Sequence, residues 1–321
     1  DASTSRVDQR DLGFVTIDGK TARDFDDAVF AKSNGDGSWQ VYVAIADVAH
    51  YVRPGSAIDQ EAYLRGTSVY FPTHAIPMLP ENLSNNLCSL KPDVNRFTLT
   101  CEMLIDSTGQ VQSYRIYESV IRSRARLVYD DVAEFLDTGQ TRTIRNKEIL
   151  DNLIVMNEVA KALQEKRTKR GAINFNFAEQ QIELDDQNQM VGVSKKFQSS
   201  SMKLIEQFML EANETVAKHC TGNRLPALYR VHGSPDLSKL ERLKKVFQRF
   251  NVPVSPNSLS DSGQFNKVLK SIENLTNKNQ LQIILLRSMA LATYETDNQG
   301  HFGLGAKYYT HFTSPIRRYP D

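Results

Sequence analysis

The sequence predicts an α+β fold, strands first and helices afterwards, and three observations carry that prediction. Up to residue 122 the chain is a succession of β-forming runs separated by turns rich in Gly, Asp and Asn. From residue 148 onwards apolar residues recur at three- and four-residue spacing, the period of an amphipathic helix. The two kinds of segment hardly interleave, which argues against a doubly wound α/β sheet. With 321 residues the chain can bury a sizeable core, and no internal repeat interrupts it.

Residues 12–17 and 28–31 read as strands on either side of an acidic stretch. Residues 39–47 read as a largely buried strand, entered through the turn Asn34-Gly35-Asp36-Gly37. Ser56 caps a short helix over 57–65. Residues 67–72 are extended, and 76–80 form a stiff loop punctuated by proline. Residues 96–105 and 111–122 make an antiparallel hairpin about Asp106-Ser107-Thr108-Gly109. Arg115, Arg122, Arg124 and Arg126 stand near the single acid Glu118, a face that either holds phosphates or is simply solvated.

In the second half, Ile149, Leu153, Met156, Ala160 and Leu163 predict a helix over 148–166. It closes on Lys166-Arg167-Thr168-Lys169-Arg170, whose cations offset the negative helix end. Residues 172–177 and 180–193 read as strands, with a turn at Gln187-Asn188-Gln189. Ser199-Ser200-Ser201 caps a helix over 202–219, and Ser234-Pro235 starts another running to Phe250. A loop over 251–263 precedes helices over 264–274 and 278–295.

Lys and Arg number 39 against 38 Asp and Glu, so a polyanion must be met by local patches rather than by net charge. Cys88, Cys101 and Cys220 have neither CxxC spacing nor an even count, so no zinc ribbon or disulfide framework is indicated. No apolar run approaches membrane-spanning length, and a cytoplasmic protein with no membrane association is expected. The chain opens without Met and stops after Tyr319-Pro320-Asp321, which reads as an excised fragment.

The chemistry concentrates in one stretch. Asp18, Asp24, Asp26 and Asp27 put four carboxylates within ten residues, and Gly19 marks a turn that folds Asp18 back toward the others. Like charges held so close take up protons or gather a cation. Oxygen-only ligands suit Mg²⁺ or Mn²⁺ better than zinc. Composition alone leaves a solvated acidic loop and a metal site as equal readings. The interleaved Ile17, Phe25, Ala28 and Val29 draw the segment toward a core and favour the metal. Near the C-terminus no acid falls between Lys307 and Asp321, and Ser314-Pro315 suggests a helix start beside Arg317 and Arg318, a combination that favours phosphate.

Taken together, these motifs resemble a known family. Thr16-Ile17-Asp18, Ala22-Arg23-Asp24-Phe25-Asp26-Asp27-Ala28, Val43-Ala44-Ile45-Ala46-Asp47-Val48 and Arg65-Gly66-Thr67-Ser68-Val69-Tyr70-Phe71-Pro72 come first. Ile76-Pro77-Met78-Leu79-Pro80, Leu87-Cys88-Ser89-Leu90 and His311-Phe312-Thr313-Ser314-Pro315-Ile316-Arg317-Arg318-Tyr319 follow in order. The whole is similar to the RNB catalytic domain of the ribonuclease II / ribonuclease R family. The resemblance implies a single RNB domain over 1–321, with 1–6 as a linker and the family's cold-shock and S1 domains absent. It implies a mixed β-sheet or barrel surrounded by helices, with a buried RNA channel ending at the acidic cluster. It further implies processive, Mg²⁺-dependent 3′→5′ hydrolysis of RNA to nucleoside 5′-monophosphates, with Mn²⁺ as the substitute and two ions during catalysis. The substrate would be single-stranded RNA or RNA with a 3′ overhang, and the enzyme a monomer.

By the same resemblance Asp18, Asp24, Asp26 and Asp27 are the metal ligands, Asp26 and Arg317 the catalytic pair, and Tyr70 and Phe175 the clamp on the terminal base, with Phe177 the alternative to Phe175. Arg230 and Arg318 are further RNA contacts. Read without the resemblance, Tyr70 and Phe175 are more often core aromatics than base platforms, and His50 and His232 are structural histidines. Glu206, Glu211 and Asn213 either line the channel or are solvated. An RNA-binding module without catalysis is the competing reading, and a metal-dependent endonuclease a third. No P-loop or G-x-S-x-G elbow supports nucleotide or serine hydrolysis.

Overall fold

A computed structural model of the chain describes residues 5–175, 177, 179–255 and 259–321, the side chain of Leu237 excepted. Asn176, inside a predicted strand, and residues 256–258, inside a predicted loop, lie outside the described residues. The chain divides into two compact units, one of Asp1–Leu163, Phe177–Asn213 and Phe312–Asp321, the other of Gln164–Asn176 and Glu214–His311.

The first unit is built on a seven-stranded mixed sheet. Its strands are β1 (Val7–Asp8), β2 (Val15–Asp18), β3 (Asp27–Ser33), β4 (Trp39–Ala46), β7 (Asn95–Ile105), β8 (Val111–Arg122) and β9 (Ala125–Val128), in the order β1-β8-β7-β4-β3-β2-β9. β1 pairs parallel to β8 and β2 parallel to β9, and the other pairs are antiparallel. The expected α+β class holds, but of sheet or barrel the structure has the sheet. The short strands β1 and β9 end it as open edges and do not pair with each other.

β4 is central, and Val41, Val43, Ala44 and Ile45 are at most 1% exposed, so both its faces are covered. Each fully buried Val or Ile contributes about 1.5–3 kcal/mol. The β7–β8 hairpin turns where predicted, because the Asp106 carboxylate accepts from the amides of Thr108 and Gln110. Gly109 there has φ +80°, and a Cβ would meet the Ala162 carbonyl oxygen at 2.6 Å, so only glycine lets the turn approach that backbone.

Asp47 caps the one-turn helix α1 (Val48–Tyr51) through the His50 amide, and Ser56 caps α2 (Ala57–Arg65) through the Asp59 amide, the latter as predicted. A short two-stranded hairpin, β5 (Val69–Tyr70) with β6 (Ala75–Ile76), follows. Between β9 and the predicted long helix, the structure adds α3 (Tyr129–Thr138), which buries Val132 and Phe135 and stops at Gly139 in the left-handed region. The long helix α4 (Lys147–Arg170) buries every apolar position predicted for it and runs on through the basic residues. β10 (Glu179–Leu184) and β11 (Met190–Lys196) form the expected hairpin, and α5 (Ser200–Gly222) the expected helix.

In the second unit a core of Leu240, Leu243, Phe247, Phe265, Leu281 and Leu285 is gathered by α6 (Leu237–Gln248), α7 (Ser262–Ser271) and α8 (Lys278–Ser288). α6 is capped by Asp236, whose carboxylate accepts the Ser238 amide, so Ser234-Pro235 leads into the helix rather than starting it. α8 stops at Ser288, since Met289 is extended and residues 293–295 instead form β13 (Thr293–Glu295) against β12 (Tyr229–Val231). The strand predicted over 172–177 is absent from its described residues. Isolated partners take the backbone there: the Ile173 amide donates to Gly303 and Asn266 donates to the Ala172 carbonyl. Among the described residues no helix is long and apolar enough to cross a membrane.

Candidate active site

The four aspartates sit where β2 ends and β3 begins. Asp18 closes β2, Asp27 opens β3, and Asp24 and Asp26 lie on the loop between. The sequence bends back here because Gly19 and Ala22 close a turn, the Ala22 amide donating to the Gly19 carbonyl at 3.1 Å. Phe25 plugs the loop into the core at 6% exposure, and Ser89 secures it, accepting from the Phe25 amide at 3.1 Å and donating to the Arg23 carbonyl at 2.7 Å.

The C-terminal segment reaches the same place. Asp26 Oδ1 accepts the Ile316 amide at 2.7 Å, which brings Arg317 onto the carboxylates. Arg317 Nε lies 3.0 Å from Asp24 Oδ2 and 3.2 Å from Asp26 Oδ2, and one Nη 3.6 Å from Asp18 Oδ1. The Arg317 guanidinium also donates to the Asp24 carbonyl at 2.9 Å. Ser314-Pro315 begins one turn, with the amides of Arg317 and Arg318 bonded to the Ser314 carbonyl, and no helix follows. The Ile316 amide is spent on Asp26, and Arg318 bridges to Thr67, so the backbone bonds a helix would need go elsewhere.

Tyr70 joins from the β5–β6 hairpin. Its hydroxyl donates to Asp24 Oδ2 at 2.6 Å, the Arg317 guanidinium lies 5.7 Å from its ring centroid, and 54% of the residue is exposed. Asp18, Asp24, Tyr70, Tyr129 and Arg317 line a cavity of about 680 Å³ with the 71–75 segment.

The electrostatics are strained. Burial raises Asp26 well above the ordinary carboxylate range, Arg317 and the Ile316 amide pulling the other way. Asp18 and Asp27 are likewise pushed up by burial, Arg317 opposing, with Asp24 repelling Asp18 and Asp18 repelling Asp27. Burial of Arg317 works against its charge, yet Asp26, Asp24 and Asp18 win and hold it firmly protonated. Burial and the bond to Asp24 keep the Tyr70 phenol protonated.

Donor chemistry fits a hard divalent cation here: all donors are carboxylate oxygens, and the buried Asp18 Oδ2 has no hydrogen-bond partner. Arrangement is a separate matter. Among the described residues no three His, Cys, Asp or Glu side chains gather as an ion-holding group, and Arg317 supplies the local positive charge.

The remaining sequence candidates have other partners. Phe175 belongs to the second unit and packs edge-on to Phe265 at 6.3 Å. Phe177 falls in the first unit. Arg230, on β12, lies 4.5 Å over the Tyr294 ring. Arg318 pairs doubly with Asp321, at 3.0 and 2.7 Å. Arg115 pairs with Glu102 and Arg124 donates to the Asp11 carbonyl, so the arginine run is no single phosphate face. His232 is structural as expected, bonded to the Gly303 amide and the Ala290 carbonyl. Glu206 accepts from Gln198, and buried Asn213 accepts the Phe312 amide at 2.9 Å. Sequence reasoning gave no role to Ser89 or Tyr129. Ser89 lay inside a quoted motif, but its partners are 64 and 66 residues away.

The RNB domain description matches residues 6–321. Ribonuclease R of Vibrio parahaemolyticus is 42% identical over 321 residues, which is all of this chain and 38% of that protein. The chain therefore spans about two fifths of the curated relatives it matches, 38–40% for the first of them. RNase R of Mycoplasma genitalium has been solved with ribose-methylated single-stranded RNA and with double-stranded RNA. It superposes with a TM-score of 0.94 at 35% identity over 98% of this chain, and 49% and 56% of those chains are covered. Yeast Ssd1, described as a pseudonuclease, shares the fold with a TM-score of 0.79 at 22% identity, covering 100% of this chain and 39% of its own.

Proposed function

We propose, from the premise that this chain belongs to the RNB-domain family, that it is the catalytic part of a 3′→5′ exoribonuclease. It hydrolyses single-stranded RNA, or RNA with a 3′ overhang, processively to nucleoside 5′-monophosphates, as a cytoplasmic monomer engaged in RNA turnover. The observation that carries this reading is Arg317 pressed against Asp18, Asp24 and Asp26 at a cavity that also exposes Tyr70.

Asp18, Asp24, Asp26 and Asp27 would hold two Mg²⁺ or Mn²⁺ ions, which supply an activated water and charge stabilisation at the scissile phosphate when bound. Arg317, a permanent cation already held at the carboxylates, donates to phosphate oxygens as charge builds on them. The half-exposed Tyr70 ring offers a face to the terminal base, with Phe175 as its partner; such stacking is worth about 1–3 kcal/mol per base and is indifferent to sequence. Arg230 and Arg318 are the further RNA contacts. By this reading the chain is a single RNB domain whose RNA channel would end at the acids.

The competing reading is an RNA-binding module without catalysis. Because Ssd1, a pseudonuclease, has the same fold, the fold cannot discriminate. The complete carboxylate set with Arg317 favours hydrolysis. The test is digestion of a 5′-labelled RNA with a 3′ overhang, with and without Mg²⁺. Stepwise shortening from the 3′ end only with Mg²⁺ is expected, and binding without shortening, or internal fragments, would overturn the reading.

A further inference from the structure

The seven residues between Asp18 and Asp26 contain no regular secondary structure, and Gly19, Lys20, Thr21 and Arg23 are exposed. A loop this exposed does not hold two carboxylates in register by its own packing. Ser89 secures its Asp24 end through the Arg23 carbonyl and the Phe25 amide. Its Asp18 end is secured by one side chain. Arg126 donates from a single Nη to the Gly19 carbonyl at 2.6 Å and to the Lys20 carbonyl at 2.8 Å. The same guanidinium lies 5.6 Å from the ring centroid of Phe25, the buried plug further along the loop. Arg126 itself is fixed by β9, whose parallel pairing with β2 sets Arg126 opposite Thr16 and Val128 opposite Asp18. One rigid strand thus grips the turn and the plug together.

We propose that Arg126 is a positioning residue for the acid cluster, setting Asp18 relative to Asp24 and Asp26 through the Gly19 and Lys20 carbonyls. It touches neither carboxylate cluster nor substrate directly in this role, which rests on the metal-dependent reading above. Groups that orient metal ligands in this way typically contribute about 10–100-fold to metal affinity or activity. Lysine is a partial replacement, because an ammonium can donate to both carbonyls but lacks the planar group that stacks on a ring.

The test compares Arg126→Met, Arg126→Lys and Arg124→Met in the 321-residue chain. Mn²⁺ binding is read by calorimetry, RNA hydrolysis against metal concentration by end-labelling, and stability by thermal melting. Arg126→Met is expected to weaken Mn²⁺ binding about tenfold. It should raise the metal needed for half-maximal hydrolysis in parallel and leave KM for RNA unchanged. Arg126→Lys falls between, and Arg124→Met, which loses an arginine-to-carbonyl bond elsewhere, behaves as wild type. Unaltered Mn²⁺ affinity with a lowered melting temperature would make Arg126 a structural brace only. A raised KM at unaltered metal requirement would make it an RNA contact, and either result overturns the proposal. Wild-type protein that binds Mn²⁺ but shortens no RNA defeats the nuclease reading while leaving the affinity comparison decisive. Wild-type protein that binds no Mn²⁺ defeats both.

Discussion

The acid cluster of the first unit and the histidine pair of the second are both groups of titratable side chains drawn out of water, and they are finished in opposite ways. His232 has both ring nitrogens engaged, one by the Gly303 amide and the other by the Ala290 carbonyl. His301, 4.9 Å from His232 between ring centroids, accepts the Leu304 amide. Burial, then His232 and Arg230, depress its pKa to about 4, so His301 stays neutral at pH 7. In the acid cluster three carboxylates, Asp18, Asp24 and Asp26, share one guanidinium, and the buried Asp18 Oδ2 is left without a hydrogen bond. A satisfied, neutral network stabilises the fold that contains it. A crowded, charged one opposes folding and is kept where it binds or reacts.

The sharpest way to break this contrast is Asp26→Asn. Asparagine retains an acceptor for the Ile316 amide while removing a buried charge. Hydrolysis should fall by at least about 10²–10³-fold, the loss typical of removing a charge-stabilising group. RNA affinity should be unchanged, and the melting temperature without metal should stay level or rise. A parallel loss of activity, binding and stability would put the acids with the histidines as folding elements.

Tyr70→Ala comes next, with an expected loss of about 1–3 kcal/mol in holding the terminal base. It is read as a longer final undigested product, and an unchanged product ladder would remove Tyr70 from the clamp. The smallest effect concerns the histidines. Because the folded pKa of His301 lies near 4 and the unfolded value near 6.5, the unfolded chain takes up the proton first. Stability is therefore complete above about pH 6.5 and is lost as pH falls toward 4, by up to about 2 kcal/mol once partial exposure is discounted. Amide exchange over residues 229–232 should rise in that window, and His301→Asn should flatten the dependence.

Features encoded within a turn or two were readable from the chain alone. The Ser56 cap, the Asp106 turn, the apolar stripe of α4 and the hairpin of β7 and β8 all stand where spacing placed them. The four aspartates and Arg317 were likewise visible as residue types, because a run of acids and a basic, acid-free tail are compositional signals. Even local reading failed where two signals competed. Asp236 outbid Ser234-Pro235 as a cap, and α3 is too short for its apolar spacing to stand out.

What no stretch of residues could specify is the meeting of the two ends of the chain. The Ile316 amide finds Asp26 across 290 positions, Tyr70 finds Asp24 across 46, and Arg126 finds Gly19 across 107. Caps, turns and periodicity act between neighbours, whereas these bonds exist only after the sheet has closed its register and buried its core. Whether that sheet would seal into a barrel or stay open at β1 and β9 was decided at the same level, by pairing partners far apart in the chain.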